Sequence, residues 1–217
     1  SILYRKPVRR EEIPMFRVLL SLTFMLAVVF ATARQTVGQS TNQAMATFAG
    51  GCFWCTEADF DKVPGVLSTT SGYIGGHVAN PTYGQVSGGG TGHAEAVEII
   101  YDSNKVSYDQ LLSYYWRSVD PTVKDRQFCD VGDQYRAAIF VHDDEQRRLA
   151  EASKKKIEAE LKQPVYTQIV DAGPFYKGEE YHQDFHQKNP IRYKFYRWNC
   201  GRDQRLEQLW GTRKGDS

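Results

Sequence analysis

The sequence predicts one domain of the α+β class, built as a two-layer α/β sandwich with a mixed sheet and a long irregular C-terminal tail. Segments with the alternation of strands take turns with helical segments, and some strands follow one another as in hairpins. This order suits split βαβ connectivity and a sheet of about four to six strands. A length of 217 residues with 41% hydrophobic and 24% charged residues is enough for one sizeable core.

The N-terminal residues do not fit this domain. Five basic residues precede an uncharged apolar run, Val18–Phe30, and the small residues Ala31, Thr32 and Ala33 follow it. A basic flank, a short apolar run and an A-x-A site are typical of a secretory signal peptide, with Met15 as its start. The run is short for a membrane span, which needs about 20 residues, and an uncleaved inner-membrane anchor is the alternative.

The chain therefore divides into three predicted parts. They are a signal peptide with upstream residues over 1–33, a polar linker over 34–42, and a single domain over 43–217. We expect an exported protein, periplasmic after cleavage. Export to an oxidising compartment permits disulfides, but the spacing of Cys52, Cys55, Cys129 and Cys200 is not that of a disulfide scaffold. It predicts one active pair, Cys52 and Cys55, and two distant thiols.

The elements of the domain follow from hydrophobic periodicity and from turn residues. The first part of the domain is predicted to contain a buried strand over "MATFAGG", a helix from Cys52 to Val63, a strand over "GVLSTTSGYIGG" and a loop over residues 77–92. A strand over "HAEAVEIIYD", a helix over "VSYDQLLSYYWRSV" capped by Ser107 and a strand over "QYRAAIFVHD" follow. The last part is predicted to contain a charged helix capped by Asp143 or Asp144, a strand over "PVYTQIVDAG", a short helix near 179–187 and a last helix after Cys200.

The segment "AGGCFWCTEADF" carries the most specific chemical signal, two cysteines in a C-x-x-C spacing. Structural zinc needs four ligands, usually in two close pairs, and only one pair is present. His182 and His186 lack the H-E-x-x-H pattern of a metalloprotease, so we predict no metal. A redox dithiol of the thioredoxin kind and a pair of buried, inert thiols remain open.

The position of Cys52 in this segment favours a role for this cysteine as a nucleophile. Cys52 follows Gly50-Gly51 and opens the predicted helix, where free backbone N–H groups and the helix dipole stabilise an anion. Helix N-termini lower the pKa of a thiol, and the thiolate is the reactive form. Phe53 and Trp54 supply an apolar wall beside the sulfur.

These residues resemble the peptide methionine sulfoxide reductase A family, whose signature is similar to "GCFWCTE". Further segments resemble family segments in the same order: "SGYIGG", "NPTYGQV", "GGTGHAEAVEI", "DPTVKDRQ", "QYRAAIF", "GPFYKGEEYHQDF" and "CGRDQRLEQLWG". The resemblance covers most of the chain after the linker. It implies a ferredoxin-like two-layer sandwich and the reduction of methionine S-sulfoxide to methionine through a Cys52 sulfenic acid.

The resemblance also implies roles for individual residues. Glu95, assisted by Tyr83 and Tyr135, would protonate or hydrogen-bond the sulfoxide oxygen. Burial on an apolar strand face should raise the pKa of Glu95 and make it an acid near neutral pH. The other implied roles are positioning by Asp130 and substrate binding by Phe53, Trp54 and His182.

Turnover needs a second thiol that attacks the sulfenic acid. Cys200 matches the C-terminal family cysteine and Cys55 matches a subgroup in which the second cysteine of C-x-x-C resolves; we favour Cys200, with a relay through both as an option. The resemblance leaves the role of Cys129 open. It implies no bound cofactor and an external thioredoxin-like dithiol as reductant.

Partner classes follow from charge and from accessibility. A net charge of +1 gives no reason to expect nucleic acid. The partners we expect are free or protein-bound methionine sulfoxide and the reductant, with a monomeric enzyme because the cysteine must admit protein substrates. The alternatives are a general thiol-disulfide oxidoreductase and a non-catalytic metal- or thiol-binding module that uses Cys52 and Cys55.

Overall fold

The computed structural model describes residues 42–211. The predicted signal peptide, and the linker up to residue 41, lie outside the described residues. The strands are β1 (Gln43–Gly50), β2 (Val66–Ile74), β3 (Ala94–Asp102), β4 (Arg126–Gln127), β5 (Asp130–Val131), β6 (Ala137–Val141), β7 (Gln168–Asp171) and β8 (Tyr176–Lys177). The helices are α1 (Phe53–Phe60), α2 (Tyr83–Ser87), α3 (Tyr108–Trp116), α4 (Asp144–Leu161), α5 (Phe185–Lys188), α6 (Pro190–Asn199) and α7 (Arg202–Trp210).

Six of these strands form one mixed sheet in the order β7-β6-β1-β3-β2-β8. The β6–β7 pair is parallel and the other pairs are antiparallel. The chain runs β1-α1-β2 with β3 between the two strands, which is the predicted split βαβ connectivity. The mixed sheet and its helices confirm the predicted α+β fold. Strands β4 and β5 form a separate two-stranded ribbon.

The main core lies between the sheet and the helices α1, α3 and α4. Alternate residues of the strands point into it, for example Phe48 of β1, Val97 of β3 and Ile139 of β6. They pack against side chains such as Phe60 of α1 and Leu112 of α3. The opposite face of the sheet is also buried, by a smaller cluster around Ala96 and Phe140. Strand β3 is therefore covered on both faces where Glu95 lies.

Several elements differ from the predicted ones. The loop over residues 77–92 contains the short helix α2, which begins at a capping box between Thr82 and Gln85. The segment Asp133–Tyr135 forms a 3₁₀ turn, so the strand "QYRAAIFVHD" is shorter, Ala137–Val141. The C-terminal tail is less irregular than predicted, because α5, α6 and α7 occupy most of residues 185–210.

Between residues 42 and 211, none of the helices combines the length and apolar character that a membrane crossing requires.

Candidate active site

Cys52 lies in the turn between β1 and α1, as the N-cap residue of the helix. The turn needs glycine at position 51. Gly51 has φ +84°, and a Cβ atom there would lie 2.6 Å from the Cβ of Gln127. The glycine before the cysteine therefore has a steric cause. The Cys52 side chain in this turn is only 7% exposed.

A small pocket opens beside the cysteine. Its volume is about 70 Å³, and its lining residues are Cys52, Phe53, Trp54, Tyr83, Glu95, Asp130, Tyr135 and Tyr196. The structure thus brings together seven of the residues singled out from the sequence and adds Tyr196. A cavity of this size admits one small group, such as the head of a side chain, and is far below the several hundred Å³ of a pocket for a whole cofactor or drug-sized ligand.

Glu95 is the acid of this pocket. Its side chain is 2% exposed on the core-facing side of β3, and its Oε2 accepts a hydrogen bond from the Phe53 N–H at 3.0 Å. Burial raises the pKa of Glu95 to about 8, with a smaller contribution from the charge of Asp130. A carboxyl group with this pKa is protonated at neutral pH and can donate a proton within the pocket.

Cys52 does not have the lowered pKa that its helix position predicts. Burial raises the pKa of the thiol well above its usual value, and the neighbouring Cys55 and Glu95 raise it further. The first amide of the helix, Phe53 N–H, is bonded to Glu95 and is not free for a thiolate. Burial and these neighbours therefore oppose the lowering of the thiol pKa that the helix position predicts.

Three tyrosines surround the pocket. Burial raises the pKa of Tyr83 to about 12 and raises the pKa of Tyr135, so both phenols keep their protons and can donate hydrogen bonds. Tyr196 donates a hydrogen bond to Oδ2 of Asp130 at 2.6 Å. Its hydroxyl is also within hydrogen-bonding reach of the Cys52 thiol. Asp130 is therefore fixed by Tyr196 at the edge of the pocket, and burial raises its pKa.

An aromatic wall closes the other side. The Phe53 ring packs 4.8 Å from the His182 ring, and the Trp54 ring stacks on Phe185 at 3.7 Å. The indole N–H of Trp54 donates to Nδ1 of His182 at 3.0 Å. His182 is 1% exposed, and burial lowers its pKa, so it is a neutral acceptor that orients Trp54. It does not line the pocket.

The four cysteines form two groups. Cys52 and Cys55 are free, buried and within hydrogen-bonding reach of each other. Cys200, predicted as a resolving thiol, is bonded to Cys129 in a disulfide. Cys129, whose role the sequence left open, therefore has a partner 71 residues away. Both candidate resolving cysteines lie next to the pocket, Cys55 one helical turn behind Cys52 and Cys200 beside Asp130.

One cluster within residues 42–211 has the residue types of a metal site, namely Cys129, Asp130 and Cys200, with ligand atoms within 4.8 Å of one another. Its two sulfur atoms are bonded to each other in this state. Metal binding needs thiolates, so this cluster cannot offer them while the disulfide is closed.

Two residues that hold the site were not found from the sequence. Glu179 accepts hydrogen bonds from the Tyr83 N–H at 2.8 Å and from the Tyr73 hydroxyl at 2.7 Å, and so fixes the start of α2. Arg202 is 1% exposed and donates to the carbonyl oxygen of Gly50 at 3.1 Å and to that of Ser118 at 2.8 Å. It ties the C-terminal helices to the turn that carries Cys52.

Comparisons with known proteins agree with this geometry. Residues 44–214 match the sequence profile of the peptide methionine sulfoxide reductase family. The peptide methionine sulfoxide reductase MsrA of Bacillus licheniformis is 53% identical over 171 residues, which cover 78% of this chain and 94% of the relative.

Two solved structures are similar as well. Mxr1 from Saccharomyces cerevisiae in reduced form has a TM-score of 0.66 and 30% identity, covering 68% of this chain and 86% of Mxr1. Methionine sulfoxide reductase A of Corynebacterium diphtheriae has a TM-score of 0.63 and 34% identity, covering 71% and 78% of the two chains.

Proposed function

The chain belongs to the peptide methionine sulfoxide reductase A family, and we propose that Cys52 is the nucleophile with which it reduces the S-sulfoxide of methionine. The observation that carries this proposal is the pocket itself. It places a buried cysteine beside a carboxyl group that is protonated at neutral pH and beside two protonated phenols. The substrate is methionine S-sulfoxide, free or within proteins.

The reaction at this site begins with attack of the Cys52 sulfur on the sulfoxide sulfur. Negative charge then develops on the sulfoxide oxygen, which is where a donor stabilises the transition state most. Glu95 supplies the proton, and the hydroxyls of Tyr83 and Tyr135 donate hydrogen bonds to the same oxygen. The oxygen, with its proton, passes from the substrate sulfur to the Cys52 sulfur as the bond between the two sulfur atoms breaks. Methionine then leaves as the thioether, and Cys52 is a sulfenic acid.

The aromatic wall selects the substrate. Phe53 and Trp54 present ring surfaces to the S-methyl group, and sulfur and methyl groups pack favourably against aromatic rings. His182 keeps the Trp54 ring in place through the bond between the indole N–H and Nδ1. The sulfoxide sulfur is pyramidal and carries the oxygen, the methyl group, the rest of the side chain and a lone pair. When the side chain enters the pocket in the same way, the two epimers exchange the positions of the oxygen and the methyl group. Only one epimer can therefore direct the oxygen to Glu95 and the methyl group to the rings at once.

Regeneration requires a thiol and then a reductant. A second thiol, from Cys200 or Cys55, attacks the sulfenic acid, water leaves, and a disulfide forms. The family works without a bound cofactor, so the two electrons come from an external dithiol. Structures of the similar yeast protein Mxr1 include a complex with Trx2. We propose a thioredoxin-like donor for this chain.

The proposed function is tested with the full chain, excess dithiothreitol and a methionine sulfoxide peptide supplied as the separate S and R epimers. The measurement is the amount of peptide in which the sulfoxide has been reduced to methionine. We expect methionine from the S epimer only. Turnover of the R epimer at a similar rate would contradict the proposed roles of Glu95 and the aromatic wall. Reduction of protein disulfides without sulfoxide turnover would favour the thiol-disulfide oxidoreductase alternative.

We further propose that the enzyme is exported, because a basic flank, the apolar run Val18–Phe30 and the A-x-A site at 31–33 form the pattern of a signal peptide. Expression of the full chain in a bacterium should give a periplasmic product that begins at residue 34, measured by N-terminal sequencing of the osmotic-shock fraction. A product that keeps the apolar run and sediments with the inner membrane would support the anchored alternative instead.

We also propose a monomer. The proposed reaction needs an open approach to the pocket for oxidised protein segments, and a dimer that covered this face would block it. Sedimentation of the purified protein at micromolar concentration should give the mass of one chain. A mass of two chains at this concentration would contradict this proposal.

A further inference from the structure

Cys129 and Cys200 differ in their access to solvent. Cys129, in the tight connection between β4 and β5, is exposed, whereas Cys200, at the end of α6, is only 9% exposed. Cys52 and Cys55 are also buried. Within residues 42–211, the cysteine that a protein-sized reductant can reach directly is therefore Cys129. Thiol–disulfide exchange depends on access to the sulfur that is attacked.

Asp130 connects this disulfide to the active site. One oxygen of its carboxylate lies 3.7 Å from the Cys129 sulfur, and the other lies 3.9 Å from the Cys200 sulfur. The second oxygen accepts the hydrogen bond of Tyr196, and the Asp130 side chain lines the same pocket as Cys52. One side chain therefore separates the disulfide from the pocket that holds the nucleophile.

We propose that Cys129 is a third redox-active cysteine of this enzyme, which takes over the oxidation from Cys200 and presents it to the reductant. The proposal rests on the proposed function. It differs from a static role of the Cys129–Cys200 bond, in which the bond would form once and persist through turnover. The observation that favours a dynamic role is the arrangement of an exposed and a buried sulfur at the rim of the active-site pocket.

Each step of the relay breaks one bond for each bond that it forms. The Cys200 thiol attacks the Cys52 sulfenic acid, water leaves, and a Cys52–Cys200 disulfide forms. The Cys129 thiolate then attacks the Cys200 sulfur and displaces Cys52 as a thiolate, which leaves the Cys129–Cys200 disulfide seen in the structure. One thiolate of the external dithiol attacks Cys129, and Cys200 leaves. The second donor thiol attacks the donor sulfur of this mixed disulfide and releases Cys129, so the donor carries away the oxidation.

The relay makes a prediction about methionine yield without any reductant. Cys55 is removed first, by Cys55→Ser, because it offers a second route to a disulfide. In Cys55→Ser, the relay closes Cys129–Cys200 and frees Cys52 for a second attack on substrate. We expect two methionines per chain and a final Cys52 sulfenic acid. In Cys55→Ser with Cys129→Ser, oxidation stops at Cys52–Cys200, and we expect one methionine per chain.

The experiment uses the full chain, reduced and freed of reductant under anaerobic conditions, with excess S-sulfoxide peptide. Methionine is counted, and thiols are mapped by alkylation and mass spectrometry. Val131→Ser in the Cys55→Ser background is the matched control on the same ribbon, since Val131 is 67% exposed. It should also give two methionines.

The outcomes separate the relay from the function on which it rests. A yield of one methionine per chain in Cys55→Ser would overturn the relay and leave the reductase function intact. In that case Cys129 would either be found alkylated or be held in a disulfide that resists the initial reduction. Release of no methionine from any variant, the wild type included, would overturn the proposed function and the relay together.

Discussion

Replacement of Cys52 by serine is expected to reduce turnover of the S-sulfoxide to background, a loss on the order of 10⁶-fold if the cost resembles the removal of the nucleophile from other enzymes. A serine hydroxyl at this position is a weak nucleophile, and no histidine lines the pocket to activate it as a general base. The measurement is methionine release with excess dithiothreitol, so that the resolving and reducing steps do not limit the rate.

A loss of chemistry must be separated from a loss of structure. Cys52→Ser changes one atom in a buried turn, so we expect the melting temperature to stay close to that of the wild type. Quenching of the Trp54 fluorescence by substrate should also persist, because Phe53 and Trp54 remain in place. Turnover by Cys52→Ser that disappears only when Cys55 is also replaced would identify Cys55 as a nucleophile and contradict the assignment.

The central part of the fold and of the pocket could be predicted from the sequence because local signals agree there. A glycine pair, a cysteine and a helical pattern place Cys52 at the start of α1, and strand alternation places Glu95 on β3. Burial of a carboxyl group on an apolar strand raises its pKa unless a cation or several hydrogen bonds stabilise the charged form. The structure gives Glu95 this property through burial.

Helix α6 was not predicted, although its sequence carries an apolar pattern at helical spacing, and that pattern assigns the wrong face to the core. Its apolar residues Ile191, Phe195 and Trp198 recur at helical spacing but are 84%, 64% and 65% exposed. The buried face carries Tyr193, with a buried arginine and a cysteine nearby, which periodicity does not identify as core. Tyr196 belongs to this helix and was missed with it.

The pairing of Cys129 with Cys200 could not be predicted from the sequence either. Sequence spacing does not determine disulfide connectivity, and these residues are 71 positions apart. Only the packing of α6 beside the β4–β5 ribbon brings the two sulfurs together. The same holds for the pKa of Cys52. The helix position is a local signal, whereas burial and the hydrogen bond between Phe53 and Glu95 depend on the tertiary structure.

Replacement of Glu95 by glutamine is expected to lower kcat/KM for the S-sulfoxide by about 10²–10⁴-fold, the usual contribution of a positioned general acid. Glutamine keeps the shape of the side chain and can donate a hydrogen bond, but it cannot transfer a proton to the sulfoxide oxygen. Glu98→Gln is the matched control, because Glu98 lies on the same strand and does not line the pocket. It should leave kcat/KM close to the wild-type value.

The dependence of kcat/KM on pH is a sharper test, because its direction follows from the raised pKa values of Glu95 and Cys52. The reactive form has Cys52 as a thiolate and Glu95 protonated, yet the pKa of Glu95 is about 8 and that of Cys52 is higher. Below pH 8, the thiolate fraction rises with pH while Glu95 stays protonated, so kcat/KM should rise. Above about 8, further thiolate is offset by loss of the Glu95 proton, so kcat/KM should level off, and it should fall above the Cys52 pKa.

In Glu95→Gln, the side chain has no proton to lose, so only the thiolate fraction depends on pH. The rise of kcat/KM should therefore continue past pH 8 without a break, although at a much lower level than in the wild type. In the variant, kcat/KM should level off only at the pKa of Cys52. This pKa should be lower than in the wild type, because the charge of Glu95 contributes to raising the pKa of the Cys52 thiol. A break that stays at about pH 8 in the variant would assign that titration to another group and remove Glu95 from the role of acid.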